Sequence, residues 1–433
     1  MKVLMFGWEF PPHISGGLGT ACYGLTKALV NRGTQILFVV PRAFGDEEMN
    51  LIDASEILIS EPDKMVLTNL NAHIDTPARL EVIGVPSGIK PYTFGSQSQL
   101  YAIENWSYEI QSATQEIGKA KKYKFSGTYG SQLLEEVISY SEVAVALAKH
   151  HSFDVIHAHD WLTYQAGIKA KEVSGKPLVM HVHATEFDRA AQIDPQVYAI
   201  EREGFEKADR IVAVSDRTKR ILVSRYGIPQ EKISVVHNGI VAKKKQAAVS
   251  APRLGKKIVS FLGRITYQKG PHYFVEAARK VLLHLPDVHF VMAGSGDLLP
   301  AVIERVAQLR LSSRFHFTGF LKGSQVDKIW SMSDLYVMPS VSEPFGLASL
   351  EAIQSGVPVI ISKQSGVAEV MPHAIAVNFW EVDRLANAML HVLRRPSLSN
   401  TLRKNSKQSL KQITWETAAI KINHLYHELA SKN

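Results

Sequence analysis

Short apolar runs, each closed by a turn-forming residue, alternate along this chain with stretches whose apolar positions recur at helical spacing. In the first half KVLMFG, QILFVVP, DVIHAH, PLVMHVH, RIVAVS and ISVVHN read as strands. A continuous apolar run suits a strand covered on both faces, and a parallel sheet layered between helices covers both. After Gly255 the pattern restarts with KIVSFLG, VHFVMAG, FHFTG, LYVMPS and VPVIIS, interleaved with helical stretches such as 271–284 and 346–355. The expected fold class is therefore α/β, with two doubly wound, Rossmann-like units in succession.

Between the units, VAKKKQAAVSAPRLGKK (Val241 to Lys257) is polar, basic and without periodicity, the composition of an exposed linker. This divides the chain into a first domain, 1–240, a linker, 241–257, and a second domain, 258–413. Residues 44–130, with Gly, Ser and Tyr clusters such as GIKPYTFGSQSQL, read as an irregular insertion in the first domain rather than a third core. A last helix near Trp415 to Ala430 can cover either unit.

At 433 residues, the chain exceeds the usual limit of one core, about 250 residues, which supports two domains. Net charge is +8 and the pI about 9.2, which favours anionic partners such as nucleotides and phosphates and leaves peripheral contact with an acidic membrane open. Lys and Arg are scattered apart from Lys119–Lys124 and Lys243–Lys245, so no nucleic acid partner is expected. Cys22 is the only cysteine, which rules out intramolecular disulfides and cysteine-based zinc sites. The opening MKVLMFGWEFPP is too short in apolar residues for a signal peptide, and nothing approaches the ~18 apolar residues of a membrane helix. A cytoplasmic location is expected.

The stretch HISGGLGTACYGL follows the first strand, with a helix expected from near Thr20. Gly16, Gly17 and Gly19 let the backbone approach a ligand, and the helix start offers amides and the positive dipole end to an anion. A nicotinamide dinucleotide would want G-x-G-x-x-G directly after the strand and an acidic residue closing the second strand. Here G-x-G begins at Gly17, and the second strand ends in VVPRAF, where Arg42 suits only a phosphorylated ribose. HAHDW (157–161) and HVHATEFD (181–188) put histidines two apart on strands, hence on one face. Metal ligation is one reading. The other buries His157 and His181, satisfied by backbone, and leaves His159, Asp160 and His183 at the sheet's carboxyl edge, where open α/β sheets bind ligands. With no D-x-D and no H-E-x-x-H in the chain, no metal is expected to be required.

FLGRITYQKG (261–270) sets Arg264 and Lys269 after the second unit's first strand, at the position equivalent to the glycine loop of the first unit. Arg offers a planar fork and Lys a point charge to phosphate. In PSVSEPFGLASLEAIQSGVPVI (339–360), Glu343 precedes a helix that carries Glu351 about two turns on. Two carboxylates at that separation suit hydroxyls of the two sugars of a nucleotide-sugar, the transferred one and the ribose. The free amides of Gly346, Leu347 and Ala348 suit the diphosphate between them.

E-P-F-G-L followed by E-A resembles the E-x7-E motif of family 4 retaining glycosyltransferases of the GT-B fold. GGLG, HAHDW, HVH, VS at Val214–Ser215, HNGI, GRITYQKG and FTGFL extend the resemblance over nearly the whole chain, and it is similar above all to the glycogen and starch synthases and their short bacterial and archaeal relatives. The resemblance implies two Rossmann-like domains facing across a cleft, with residues after about Thr414 crossing back to the first. It implies transfer of a hexose, glucose first, from a UDP- or ADP-sugar to an oligo- or polysaccharide acceptor, without cofactor or metal. Gly16 and Gly17 would approach the diphosphate, and Arg264 and Lys269 would neutralise it. His183 would contact the transferred sugar, Glu343 its hydroxyls and Glu351 the ribose. Phe345, Gly346 and Leu347 would line the donor, Phe320 and Leu321 would lie by the base within 317–321, and Asp160 and Trp161 would face the acceptor. His183, Arg264, Lys269 and Glu343 would carry catalysis. Ile14 stands where the ADP-glucose enzymes usually have the lysine of K-x-G-G, so the donor base stays open. The alternatives are transfer to a cell-surface polysaccharide or lipid-linked acceptor and, of another class, a non-hydrolysing sugar-nucleotide epimerase or a glycan-binding relative without catalysis.

Overall fold

The computed structural model describes residues 1–12, 16–41, 133–189, 192–241 and 256–431, together with strand segments between 51 and 128. Ile14, Arg42, linker residues 242–255 and most of 44–130 lie outside the described residues.

The first sheet has eight strands, all paired in parallel. From one edge it runs β13 (Ile233–Val235), β12 (Arg210–Ala213), β11 (Leu178–Val182), β10 (Val155–His159), β1 (Lys2–Phe6), β2 (Gln35–Val40), β6 (Leu80–Gly84) and β3 (Leu51–Asp53). The second has six parallel strands: β16 (Phe315–Gly319), β15 (His289–Ala293), β14 (Ile258–Leu262), β17 (Leu335–Met338), β18 (Val359–Ser362) and β19 (Ile375–Val377). In each sheet the strand order reverses beside the first strand of its unit, the switch point at which open α/β sheets bind ligands beyond their carboxyl ends.

The continuous apolar runs are explained by two-sided burial. Leu4 and Phe6 face one core with Ile156, Leu178 and Met180, whereas Val3 and Met5 face another with Val155, Val179 and Val212. In the second sheet Val259, Phe261, Leu335 and Val337 share one core, and Tyr336, Met338, Val359 and Ile361 the other. Each fully buried side chain of this size contributes about 1.5–3 kcal/mol of hydrophobic stabilisation.

The stretch 44–130 departs from the expected irregularity. It contributes β3 and β6 to the main sheet, β4 (Ile57–Ser60) pairs antiparallel with β5 (Lys64–Leu67) and β8 (Ala120–Lys122), and β7 (Ser87–Lys90) pairs with β9 (Phe125–Thr128). Short strands within Gly- and Ser-rich sequence carry little periodicity of their own, and partners distant in sequence decide them.

The final helix, Trp415–Ala430, lies against the first sheet and the helix Gly17–Asn31. A Cβ on Gly24 would come within 2.2 Å of Trp415 Nε1, so glycine is what lets the two helices approach. Ile240, leaving the first domain, is bridged in parallel to Thr414 returning to it.

Candidate functional site

The second sheet's carboxyl edge builds one half of the site. Gly270, at φ 65°, passes so close to the chain at Pro339 that a Cβ would come within 2.2 Å of the Pro339 carbonyl oxygen, and the Val341 amide donates to the Gln268 carbonyl at 2.9 Å. This stitches the loop after β14 to the loop after β17. Lys269 Nζ thereby donates to Glu343 Oε2 at 2.5 Å, and Ser340 Oγ to the same oxygen at 3.1 Å. Glu343 is buried, and its main chain is held by Gln364 and Gly366 on the neighbouring strand's loop. Arg264 donates to Gln268 Oε1 at 3.0 Å.

The helix Leu347–Gln354 begins after Gly346, whose φ of 112° favours glycine. Glu351 lies on it, and Tyr336 lies within the electrostatic reach of both carboxylates: burial first, then Glu343 and Glu351, pushes its phenol well up. Tyr336 carried no signal in the sequence beyond that of an apolar strand position. Across the edge, Gly319 accepts from the Gly294 amide, and Phe320 beyond it is 46 % exposed. Phe345 differs from the expectation. Its side chain is buried in the core against His237, so only its main chain is left to meet a ligand.

The first domain supplies the facing half. The helix Gly17–Asn31 begins at Gly17, earlier than Thr20, because the glycines form its first turn, where amides need no partner within the helix. A Cβ on Gly16 would meet nothing within 4 Å, while one on Gly17 would be 3.8 Å from Leu347 Cδ1. The glycine loop therefore faces the start of the second domain's helix.

His157 and His159 on β10, His181 on β11 and His183 just beyond its end form a stack, with neighbouring ring centroids 4.3–5.3 Å apart. The expectation that backbone satisfies His157 and His181 is not met: His157 Nδ1 pairs with the Tyr426 hydroxyl of the final helix, and neither ring nitrogen of His181 has a hydrogen-bond partner among the described residues. Residues two apart on a strand share a face, and the parallel pairing of His159 with His181 brings these rings against one another instead of against carbonyls. His159 Nδ1 and His183 Nε2 are 2.9 Å apart. Burial, and then neighbouring imidazoles, lowers His157 to about 3 and holds His159 and His181 well down; burial lowers His183 to about 3. Nitrogens of His157, His159 and His181 lie within 4.8 Å of one another, but parallel rings do not converge their in-plane lone pairs on one ion.

Asp160, at φ 61°, turns its carboxylate to accept from the His183 and Ala184 amides at 2.7 and 3.2 Å. Burial raises its pKa to about 6 against Arg189, 3.8 Å away, and those two amides. Trp161 is buried in the core. Asp160 thus positions the His183 loop, and Trp161 packs; neither side chain is presented to a ligand as expected, because the helix they start turns both inward.

Ser342 and Glu369 of the second half both bond to the first. Ser342 Oγ donates to Asp188 Oδ1 at 2.5 Å and accepts from Arg217 at 2.7 Å. Glu369 accepts from the Asp216 and Arg217 amides at 2.9 and 2.7 Å, at the start of the helix Asp216–Tyr226, and lies 3.1 Å from His237 Nε2. Burial pushes Glu369 up, but these partners outweigh it and hold the carboxyl below its usual range. Their distance in sequence hid these contacts from sequence reading.

Among the described residues no helix is long and apolar enough to cross a membrane. Residues 242–409 match the model of glycosyl transferases group 1, and residues 123–244 that of glycosyltransferase family 4. The chain is 25% identical to an uncharacterised glycosyltransferase of Methanocaldococcus jannaschii, covering 98% of both. It is 25% identical to a glycogen synthase of Mycobacterium tuberculosis, covering 100% of this chain and 95% of that one. Its fold matches the catalytic domain of starch synthase IV from Arabidopsis thaliana, bound to ADP and acarbose, with a TM-score of 0.68 at 16% identity over 99% of both chains. With the greater part of its length matched by these models and two parallel sheets meeting at their carboxyl edges, the chain belongs to the group 1, family 4 glycosyltransferases, a retaining family of the GT-B fold acting on nucleotide-sugars.

Proposed function

We propose that this enzyme moves glucose from ADP- or UDP-glucose to the end of a glucan, as a glycogen synthase does. The observation that carries the reading is the Lys269–Glu343 pair, which puts a phosphate-type cation and a hydroxyl-type acceptor side by side at the switch point, opposite the glycine loop. Full-length similarity to a glycogen synthase supports the glucan acceptor.

In this reading Arg264, Lys269, the chain at Gly16–Gly17 and the amides of Gly346, Leu347 and Ala348 hold the diphosphate. They stabilise the charge it gathers on leaving, and such fixed charges and dipoles are the main source of rate enhancement in this kind of transfer. Glu343 holds hydroxyls of the transferred sugar, His183 contacts it as a neutral imidazole, Glu351 holds the ribose, and Phe320 and Leu321 flank the base. The acceptor hydroxyl oxygen bonds to the anomeric carbon on the face from which the phosphate oxygen departs. Its proton passes to that phosphate oxygen, so no carboxylate nucleophile is needed.

Nucleotide release from ADP- and UDP-sugars, measured with glycogen, maltooligosaccharides or no acceptor and with or without EDTA, tests this. Glucan-dependent release from one glucose donor, unchanged by chelator, is expected. Release that needs a lipid-linked or non-glucan acceptor would replace the glucan reading, and loss with EDTA restored by Mn²⁺ or Mg²⁺ would refute the metal-free one.

A further inference from the structure

Beside the second domain's switch point lies an aromatic ledge that the donor site does not use. Tyr273 and Phe379 meet at 5.0 Å between ring centroids, and Phe379 and Trp380 meet edge-on at 4.8 Å. Trp380 is 55 % exposed and Tyr267, in the Arg264–Lys269 loop, 49 %. The turn that carries Trp380 is closed by main-chain bonds: the Val382 amide donates to the Trp380 carbonyl and the Glu381 amide to that of Asn378, both at 3.0 Å.

A row of planar polar side chains runs along this ledge. Arg384 donates to Glu381 at 2.8 Å, Asn378 Nδ2 donates to the same carboxylate at 2.8 Å, and Gln364 Nε2 donates to Asn378 Oδ1 at 3.0 Å. The Gln364 carbonyl in turn accepts from the Glu343 amide. The ledge is thereby joined, bond by bond, to the site at Glu343. The Phe379 ring braces the exposed indole of Trp380 edge-on, and one exposed aromatic face beside fixed planar donors and acceptors is the chemistry that recognises a pyranose, whose axial C–H groups lie on the ring and whose hydroxyls reach the polar row. Beside Trp380 the carboxylates Glu381 and Asp383 are paired with Arg384 and Lys280 at 2.8 and 2.6 Å, so these charges cancel in pairs and form no basic cluster of the kind that docks on an anionic membrane.

We propose that the ledge formed by Tyr267, Tyr273, Phe379 and Trp380 is a glycan subsite, distinct from the donor site, that holds a stretch of a neutral polysaccharide chain beside the cleft. The identity of the glycan rests on the glucan reading above; the ledge itself does not.

Affinity electrophoresis of the full-length enzyme in gels containing glycogen, soluble starch or a β-glucan tests the proposal, with Trp380→Ala and Trp380→Tyr run beside the native chain. Retardation by one polysaccharide is expected, weakened about 2- to 12-fold in Trp380→Ala, the range of one aromatic contact, and largely kept in Trp380→Tyr. Nucleotide release with a short soluble acceptor should be unchanged in both variants. No retardation of the native chain by any of the three, or equal retardation of Trp380→Ala, overturns the subsite. Binding to phosphatidylglycerol vesicles lost in Trp380→Ala without polysaccharide retardation overturns it in favour of a membrane contact. Retardation that depends on Trp380 in a protein releasing nucleotide from no donor would sink the transfer reading and leave the ledge standing.

Discussion

Glu343 and Glu351 share a motif but not an environment. Glu343 is buried and bonded to Lys269 and Ser340, whereas Glu351 stands partly exposed on the helix that follows. If Glu343 holds the transferred sugar, its contacts strengthen as charge develops at the reacting carbon, so Glu343→Ala should lower kcat. Glu351→Ala should instead raise KM for the donor. A charge-assisted hydrogen bond is worth roughly 1.5–3 kcal/mol, or about 10- to 150-fold in either constant. Glu343→Ala also strands Lys269, so melting curves belong beside the kinetics. A destabilised Glu343→Ala protein with near-native donor kinetics would remove this carboxylate from the chemistry.

The histidine stack between β10 and β11 is held neutral by burial, with His157 and His183 lowered to about 3 against an ordinary value near 6.5. The unfolded chain therefore binds more protons than the native one between these values. Stability contributed by the neutral stack is complete above about pH 6.5 and is lost as pH falls toward 3, by at most about 1.4 kcal/mol per pH unit for each histidine. Denaturant midpoints measured from pH 8 to 4 should fall on the acid side, and His181→Leu, which breaks no hydrogen bond of this ring to the described residues, should make the fall shallower. An equal slope in that variant would show that the acid loss arises elsewhere.

At the scale of the molecule, the two sheets are tied by carboxylates facing across the cleft. Glu369, on the second domain, caps amides at the start of the helix Asp216–Tyr226 on the first, and Asp188 takes the hydroxyl of Ser342 next to Glu343. In the proposed transfer, closure of the domains on the donor would exclude water and would rest on contacts of this kind. Glu369→Ala leaves two helix-end amides without their acceptor, at about 1–3 kcal/mol, so the closed arrangement should lose population and the donor KM should rise several-fold. Small-angle scattering should show a larger radius for this variant without donor and a return toward the native one at saturating nucleotide-sugar. Native scattering together with a native KM would mean that the clasp does not govern closure.

The doubly wound architecture was legible because burial on both faces writes itself into local pattern: VLMF and ILFVV are apolar without alternation, and the restart after Gly255 marks the second sheet. Glycine spacing, the cations of GRITYQKG and the two carboxylates of E-x7-E were legible as candidates, because phosphate and sugar each demand particular groups close together in the chain, and the fold brings Gly17 to Leu347 and Lys269 to Glu343. The fates of Phe345 and Trp161, and of Asp160 as the support of the His183 loop, were decided only by tertiary structure, since a side chain's direction at a helix start depends on which core it meets. So were the strands within 44–130, the stacking of four imidazoles against Tyr426 and the Glu369 clasp: each depends on partners far apart in sequence, and only the folded chain sets those distances.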